Sequence, residues 1–289
     1  MPKKSVLVVG ATGNQGGSVA RALSQRGHRV VALVRDLNSK KATSLEEAGV
    51  SLARGSFEDE SSLDSAMRGL DVVFAVTTPY AGAESEVAQG RALVDAASRA
   101  KVPHFIYSSV SNANAATGIP HFDSKFEVEK YLAGTELNWT VTAPVFFTDN
   151  VIAPWNLGAI GEGLFRQALP ADRKLQVVSV RDIGRFNAAV IEAGSKYHGA
   201  RLNYAGDELS SSEMAKALSS ATGRIVSFSE QPLAEVRTQS EDLALMFEWF
   251  DKKGYTADIP SLRSEFEDVQ WQRFSEWAGD QDWNMLFAR

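Results

Sequence analysis

Short apolar runs alternate with amphipathic stretches through the first half of the chain. The runs Ser5–Val9, Arg29–Val34, Val50–Arg54, Asp71–Val76, Pro103–Ser108 and Asn138–Ala143 have strand length and are rich in β-branched residues. Between them, Gln15–Arg26, Ser39–Ala48, Ser61–Met67, Glu84–Ala100 and Phe122–Leu132 repeat apolar positions at helical spacing. Near-continuously apolar strands separated by helices predict a parallel sheet covered on both faces, the doubly wound α/β class. After Pro144 the pattern becomes irregular. Leu175–Val180 then reads as another strand, and Arg181–Gly184 opens a helix with Asp182 placed as its N-cap. Leu202–Ala205 and Ile225–Phe228 read as further strands on either side of a helix, Ser211–Ala221. From Pro232 onward the chain is helical and aromatic, with Trp249, Phe250, Tyr255, Trp271, Trp277 and Trp283 among its rings. These rings suit the core of a small helical lobe better than the walls of a substrate pocket.

The first strand runs directly into Gly10-Ala-Thr12-Gly13-Asn14-Gln15-Gly16-Gly17, and a helical pattern follows. Three glycines at this spacing have separate physical uses. One permits the tight strand-to-helix turn, one lets the backbone approach a pyrophosphate, and one lets the helix pack on the strand. The helix start then presents unpaired N–H groups and a positive dipole end to that pyrophosphate. A glycine-rich turn alone is weak evidence. Its place after a strand and before a helix is what a dinucleotide site requires. The expected fold is therefore a Rossmann domain built from residues 1–150 and 176–206. A smaller, mostly helical domain of residues 151–175 and 207–289 would bind substrate or a partner.

The second strand bears on the choice of cofactor. An NAD site wants a carboxylate at the strand tip for the ribose hydroxyls, but that position is Val34 and the next residue is Arg35. A guanidinium there can pair with a 2′-phosphate, and Lys40 lies close behind in sequence. Cations near a helix start oppose its dipole unless an anion joins them. Asp36 is the competing ribose ligand if the strand ends one residue later. NADP(H) is the expected cofactor.

Composition narrows the remaining classes. The 289-residue chain has no cysteine, which excludes disulfides, thiolate metal sites and a cysteine nucleophile, and suits a reducing, cytoplasmic setting. Its four histidines are scattered, so no metal site is expected. A net charge of −6 argues against direct nucleic-acid binding. Lys3 and Lys4 lead straight into the first strand, leaving no room for a signal peptide, and no apolar run is long enough to span a membrane.

Candidate chemistry gathers after the fifth strand. Ser108 and Ser109 end that strand, either beside a substrate or merely satisfying backbone groups. His121-Phe-Asp-Ser-Lys125 then opens a helix. By topology, Ser56 and Phe57 follow strand three near the adenine edge, and Thr77, Thr78 and Pro79 follow strand four along the cofactor channel. Pro144, Phe147 and Asn150 follow strand six.

The glycine spacing resembles that of the short-chain dehydrogenase superfamily, whose working members carry Tyr-x-x-x-Lys on this helix. Here Lys125 stands in the Lys position and His121 in the Tyr position, and none of the six tyrosines has a Lys four residues later. His121 is either a replacement proton donor or a helix-start histidine that bonds only locally. Several segments together resemble the NmrA-like family, atypical members of that superfamily: Gly10–Gly17, Val34-Arg35, His121–Glu129, Pro144–Asn150, Val178–Arg185 and Tyr204–Leu209. The resemblance covers nearly the whole chain. It implies Gly10 to Gly16 at the pyrophosphate, Arg35 and Lys40 at the adenosine phosphate, and Lys125 at the nicotinamide ribose. It also implies that Thr77–Pro79 and Phe147–Asn150 form the nicotinamide-side loops.

Because the family includes both redox-sensing regulators and true reductases, two activities are expected from it. The first is an NADP(H)-binding sensor that works through a regulatory protein partner with little catalysis; the missing tyrosine favours it. The second is an NADPH-dependent reductase of a flat aromatic acceptor such as a quinone, azo compound or ketone, with Lys125 and His121 as its catalytic residues. An epimerase or dehydratase ranks below both, because those reactions use the Tyr–Lys pair.

Overall fold

A computed structural model describes residues 2–288, with the side chain of residue 155 outside the description. In chain order the first elements are β1 (Ser5–Val9), α1 (Asn14–Gln25), β2 (Arg29–Val34), α2 (Lys40–Glu47), β3 (Ser51–Arg54) and α3 (Glu60–Met67). Then come β4 (Val72–Val76), α4 (Ala83–Arg99), β5 (His104–Ser108), α5 (Pro120–Ala133), β6 (Trp139–Pro144) and β7 (Phe146–Phe147). They are followed by α6 (Pro154–Gly161), β8 (Leu164–Gln167), β9 (Lys174–Val178), α7 (Val180–Ala193), β10 (Ala200–Tyr204) and β11 (Asp207–Ser210). The last are α8 (Ser211–Thr222), β12 (Ser227–Glu230), α9 (Leu233–Gln239), α10 (Glu241–Lys252), α11 (Ile259–Glu265), α12 (Phe274–Gly279) and α13 (Trp283–Phe287).

The chain divides into two units. The first comprises Met1–Ala116, Pro120–Ala143 and Ile183–Asn203. It holds a seven-stranded sheet in the order β10-β6-β5-β4-β1-β2-β3, with parallel pairing from β6 through to β3. The order reverses direction between β1 and β4, the switch point at which a doubly wound sheet opens a crevice beyond its strand ends. β1, β4 and β5 are buried almost end to end, which explains why they read as unbroken apolar runs. One face packs Leu7, Val73, Ala75 and Phe105 against Leu93, Val128 and Leu132 of the helices. Helices α4 and α5 approach so closely that a Cβ on Gly90 would lie 2.4 Å from Val128 Cγ2. On α7, a Cβ at Gly184 would similarly strike Ser18 of α1.

The second unit comprises Thr117–Ile119, Pro144–Asp182 and Tyr204–Arg289. Its strands form a separate sheet, β11-β9-β7, and a two-stranded pair, β12-β8. The division differs from the sequence-based one. Residues 117–119, 144–150, 176–182 and 204–206, expected in the first domain, belong to the second unit, where β9 pairs with β7 and β11 rather than extending the large sheet. Pro144 ends β6, and a residue with no N–H to donate is a natural place for a ladder to stop. The aromatic tail is core. Phe250 and Phe274 are fully buried, and Phe250 packs tilted against Tyr255 (4.9 Å between centroids) and meets Phe146 edge-on (6.1 Å).

Asp182 does not cap α7, contrary to the sequence reading. The helix begins at Val180, where Ser179 Oγ accepts the Asp182 N–H (3.1 Å) and Asp149 accepts the Val180 N–H (2.8 Å). The Asp182 carboxylate instead accepts the Gln272 N–H at 2.7 Å, and burial pushes its pKa up. Among the described residues, no helix is long and apolar enough to cross a membrane.

His104 opens β5 in the first unit, buried beside Thr140. Thr140 commits its hydroxyl hydrogen to the Tyr197 carbonyl (2.8 Å), so His104 Nε2 is the donor in their 2.9 Å bond. Its Nδ1 is buried with no partner among the described residues. Burial first, then the charge of Lys4 and of His198, pushes the His104 pKa down to about 4. The unfolded chain therefore takes up a proton below pH ~6.5 that the folded chain refuses until about pH 4. Stability falls across this window on acidification, with a full cost of about 3 kcal/mol. Denaturant unfolding of His104→Phe at pH 7 and pH 4 should show a smaller acid loss than the unaltered chain. An identical loss in both would overturn this assignment.

Candidate functional site

The glycine turn assigns each glycine a different task. Gly10 takes φ +72°, and a Cβ there would lie 2.5 Å from Val76 Cγ1. Its carbonyl accepts the Gly13 N–H at 2.9 Å, closing the turn. Gly16 brings α1 onto that turn, since a Cβ would stand 2.4 Å from the Gly10 carbonyl oxygen. Gly13 is the N-cap and contributes no side-chain cap; a Cβ on it would meet only Gly10 O, at 3.3 Å. The first helical bond runs from Gly17 N–H to Gly13 O (3.0 Å). The N–H groups of Asn14, Gln15 and Gly16 therefore precede any bond to a carbonyl four residues back, at the positive end of the helix. Such a turn fits a pyrophosphate. Thr12 is half-buried and Asn14 exposed, while Gln15 Nε2 donates to the buried Ser108 Oγ across the carboxyl ends of β1 and β5.

On the other side of the turn, β2 ends at Val34 and leaves Arg35 exposed. Among the described residues Arg35 makes no hydrogen bond or ion pair. It lies close enough to Glu58 to add a small lowering of that carboxyl's pKa, beyond the larger effect of the Ser56 hydrogen bond. Asp36 is occupied elsewhere. Its carboxylate accepts the Asn38 N–H (2.9 Å) and its carbonyl the Ser39 hydroxyl (3.1 Å), a local turn that leaves Arg35 as the group at the strand tip. Ser39 caps α2, whose first residue is the exposed Lys40. Ser56 accepts and donates to Ser62 in the loop after β3, and Phe57 packs its ring on the sheet core.

Lys125 lies on the buried face of α5, and its ammonium meets three acceptors: Glu86 Oε1 (2.7 Å), Thr77 O (3.2 Å) and Thr77 Oγ1 (3.5 Å). Thr77 donates its hydroxyl to Glu86 Oε1 (2.9 Å), which leaves Tyr107 OH to donate to Thr77 (2.9 Å). Ser124 donates to Glu86 Oε2 at 2.5 Å. Tyr107 is fully buried, and desolvation, aided by Glu86 and Glu129 and opposed by the Thr77 hydrogen bond, pushes its pKa well up. His121 shares the Lys125 face one turn earlier, half-buried, with its ring edge-on to Phe122 at 4.8 Å. Thr78 is exposed and Pro79 half-buried on the 3-10 turn that follows β4.

A second polar cluster fixes the end of β5. Ser109 donates to Glu129, and Arg201 holds Glu129 Oε2 (2.8 Å) and the Val110 carbonyl (2.7 Å). Ser108 at the end of β5 and Ser109 just after it thus both have protein partners. Pro144, Phe147 and Asn150 belong to the second unit: Phe147 pairs β7 with β9, and the Asn150 carbonyl accepts from Asn156 (3.4 Å).

Comparison with known proteins assigns the lineage. The NmrA-like family pattern matches residues 2–278. The chain belongs to the NmrA-like family. The nitrogen metabolite repression protein nmrA of Emericella nidulans is 30% identical over 249 residues, covering 81% of this chain and 70% of that protein. An NAD(P)H azoreductase of Xenophilus azovorans is 31% identical over 224 residues, covering 77% and 76%. The crystal structure of the negative transcriptional regulator NmrA with NADP superposes with a TM-score of 0.80 at 25% identity, covering 98% of this chain and all of that one. Regulators and reductases thus both stand among this NmrA-like protein's relatives.

Glu86, Ser124, Glu129 and Arg201 were missed by the sequence reading. Glu86 left a signal. It occupies the stripe of α4 otherwise made of Gly90, Leu93, Val94 and Ala97, and a carboxylate on a buried stripe demands a partner.

The glycine geometry yields a test that needs no ligand. Gly16→Ala should destabilise the NmrA-like fold by about 1–3 kcal/mol through overpacking, and Gly13→Ala by less than about 1 kcal/mol. Urea unfolding of both variants measures this, and equal losses would contradict the division of labour.

Proposed function

We propose that this NmrA-like protein binds NADP(H) across the glycine turn and acts as a dinucleotide-responsive regulator with little catalysis of its own. The observation that carries the cofactor choice is the Arg35 guanidinium at the tip of β2, unpaired among the described residues, with Asp36 turned into its own loop. A free, exposed guanidinium suits a 2′-phosphate, and a carboxylate in its place would repel one. The pyrophosphate takes the N–H groups of Asn14, Gln15 and Gly16. Lys40 adds charge at the 2′-phosphate, and Ser56 and Phe57 flank the adenine. Lys125 reaches the nicotinamide ribose, with Thr77 to Pro79 in the loop beside it. The dinucleotide supplies or accepts a hydride when a reaction occurs. The regulator reading is supported by His121 standing where the superfamily's tyrosine would stand, four residues before Lys125, and by the deep burial of Tyr107. A regulatory protein is then the partner.

The second reading, an NADPH-dependent reductase of a flat aromatic acceptor, is favoured by the retention of Lys125 and by the azoreductase relative. An acceptor that takes its proton from water needs no tyrosine.

Titration calorimetry tests the cofactor. NADPH should bind more tightly than NADH, and Arg35→Ala should remove most of that preference, about 1.5–3 kcal/mol. Equal affinities in the unaltered protein would overturn the NADP(H) reading. Turnover separates the two activities. With NADPH and a panel of quinones and azo dyes, a regulator should show no turnover above the solution rate, and His121→Phe should change nothing. Turnover that drops at least tenfold in His121→Phe with unchanged NADPH affinity would instead establish the reductase, with His121 as its acid.

A further inference from the structure

We propose that Glu86 is the positioning residue of the dinucleotide site, holding the Lys125 ammonium where the nicotinamide ribose is to be met. This inference rests on the reading of Lys125 as the ribose ligand and adds what determines its position. Glu86 has no exposed surface, and an ionised carboxylate there is tolerable only with its lone pairs matched. They are matched by Lys125 and Thr77 at Oε1 and by Ser124 at Oε2. The donors come from the end of β4 and from two successive residues of α5, whereas the carboxylate comes from α4. The network therefore ties three elements together at the carboxyl edge of the sheet.

The geometry also rations the ammonium. Lysine has three N–H donors, and two are well used by Glu86 Oε1 at 2.7 Å and Thr77 O at 3.2 Å. The third faces Thr77 Oγ1 at 3.5 Å, a long bond that costs little to give up, and Thr77 keeps Tyr107 as an alternative donor. One N–H is thus left for a ribose hydroxyl while Glu86 keeps the ammonium in place. An unpaired lysine would have to give up its freedom of rotation on binding; this one has already done so.

The test uses two probes. NADPH spans the whole site, and adenosine 2′,5′-bisphosphate carries the adenosine half without the nicotinamide ribose. Glu86→Gln should weaken NADPH about tenfold, the loss of a charge-assisted contact, and leave the bisphosphate unchanged. A merely structural loosening would weaken both. Lys125→Met should weaken NADPH to a similar extent, and the double variant no further, because both changes remove one interaction. Additive losses, equal loss of both probes, or unchanged NADPH binding by Glu86→Gln would overturn the proposal. Unchanged NADPH binding by Lys125→Met would instead overturn the underlying assignment of Lys125 to the ribose. Ser124→Ala keeps both charges and takes one donor from Oε2, so it carries the same comparison should Glu86→Gln not fold. It should weaken NADPH about threefold and lose that effect in the Lys125→Met background.

Discussion

A carboxylate shut away from water constrains everything near it. Glu86 sits where an unmatched charge would be intolerable, and the residues that match it come from the end of β4 and from α5. Lys125 is therefore not a loose surface cation. It is one half of a buried ion pair that helps define how α4, α5 and the end of β4 meet. Glu129 and Arg201 repeat the arrangement one turn along α5, tying that helix to β10 and to the backbone at Val110. Two ion pairs thus anchor one helix, one of them buried and the other half-buried at Arg201.

Much of the first unit could be read from residue pattern, because its strands are buried on both faces and so read as unbroken apolar runs. β1 and β2 fall at the residues predicted for them, and the other four strands begin within a residue of expectation. The second unit was harder. β9 is buried over four of its five residues like a central strand, but what it pairs with depends on β7 and β11, and β7 is only two residues long. Nothing in a local pattern says which sheet a strand joins. The cap of α7 was misjudged for a related reason. Asp182 has the right residue type, but tertiary context gave its carboxylate to the Gln272 N–H, and Ser179 took the capping role.

The candidate site was legible where chemistry is written in consecutive residues and illegible where it is assembled across the fold. The glycine turn is a short contiguous segment, and Arg35 follows directly from the end of β2. The polar network around Lys125 joins residues as far apart as Thr77 and Tyr107, which no spacing rule connects. Its one advance notice was Glu86 on an apolar helix stripe. Assignments of ligand-facing roles to Ser108 and Ser109 would have been premature, because Gln15 and Glu129 already occupy them.

The glycine at position 90 gives the Lys125–Glu86 pair an unusual mechanical setting. Because Gly90 meets the side chain of Val128 with no room for a further carbon, the spacing of α4 and α5 is set by hard contact between a backbone and a valine. Close-packed interiors of this kind have low compressibility. The ion pair bridges the same two helices, so its length is set where their backbones cannot come closer. A polar contact whose strength varies steeply with distance is calibrated here by an apolar one that hardly yields.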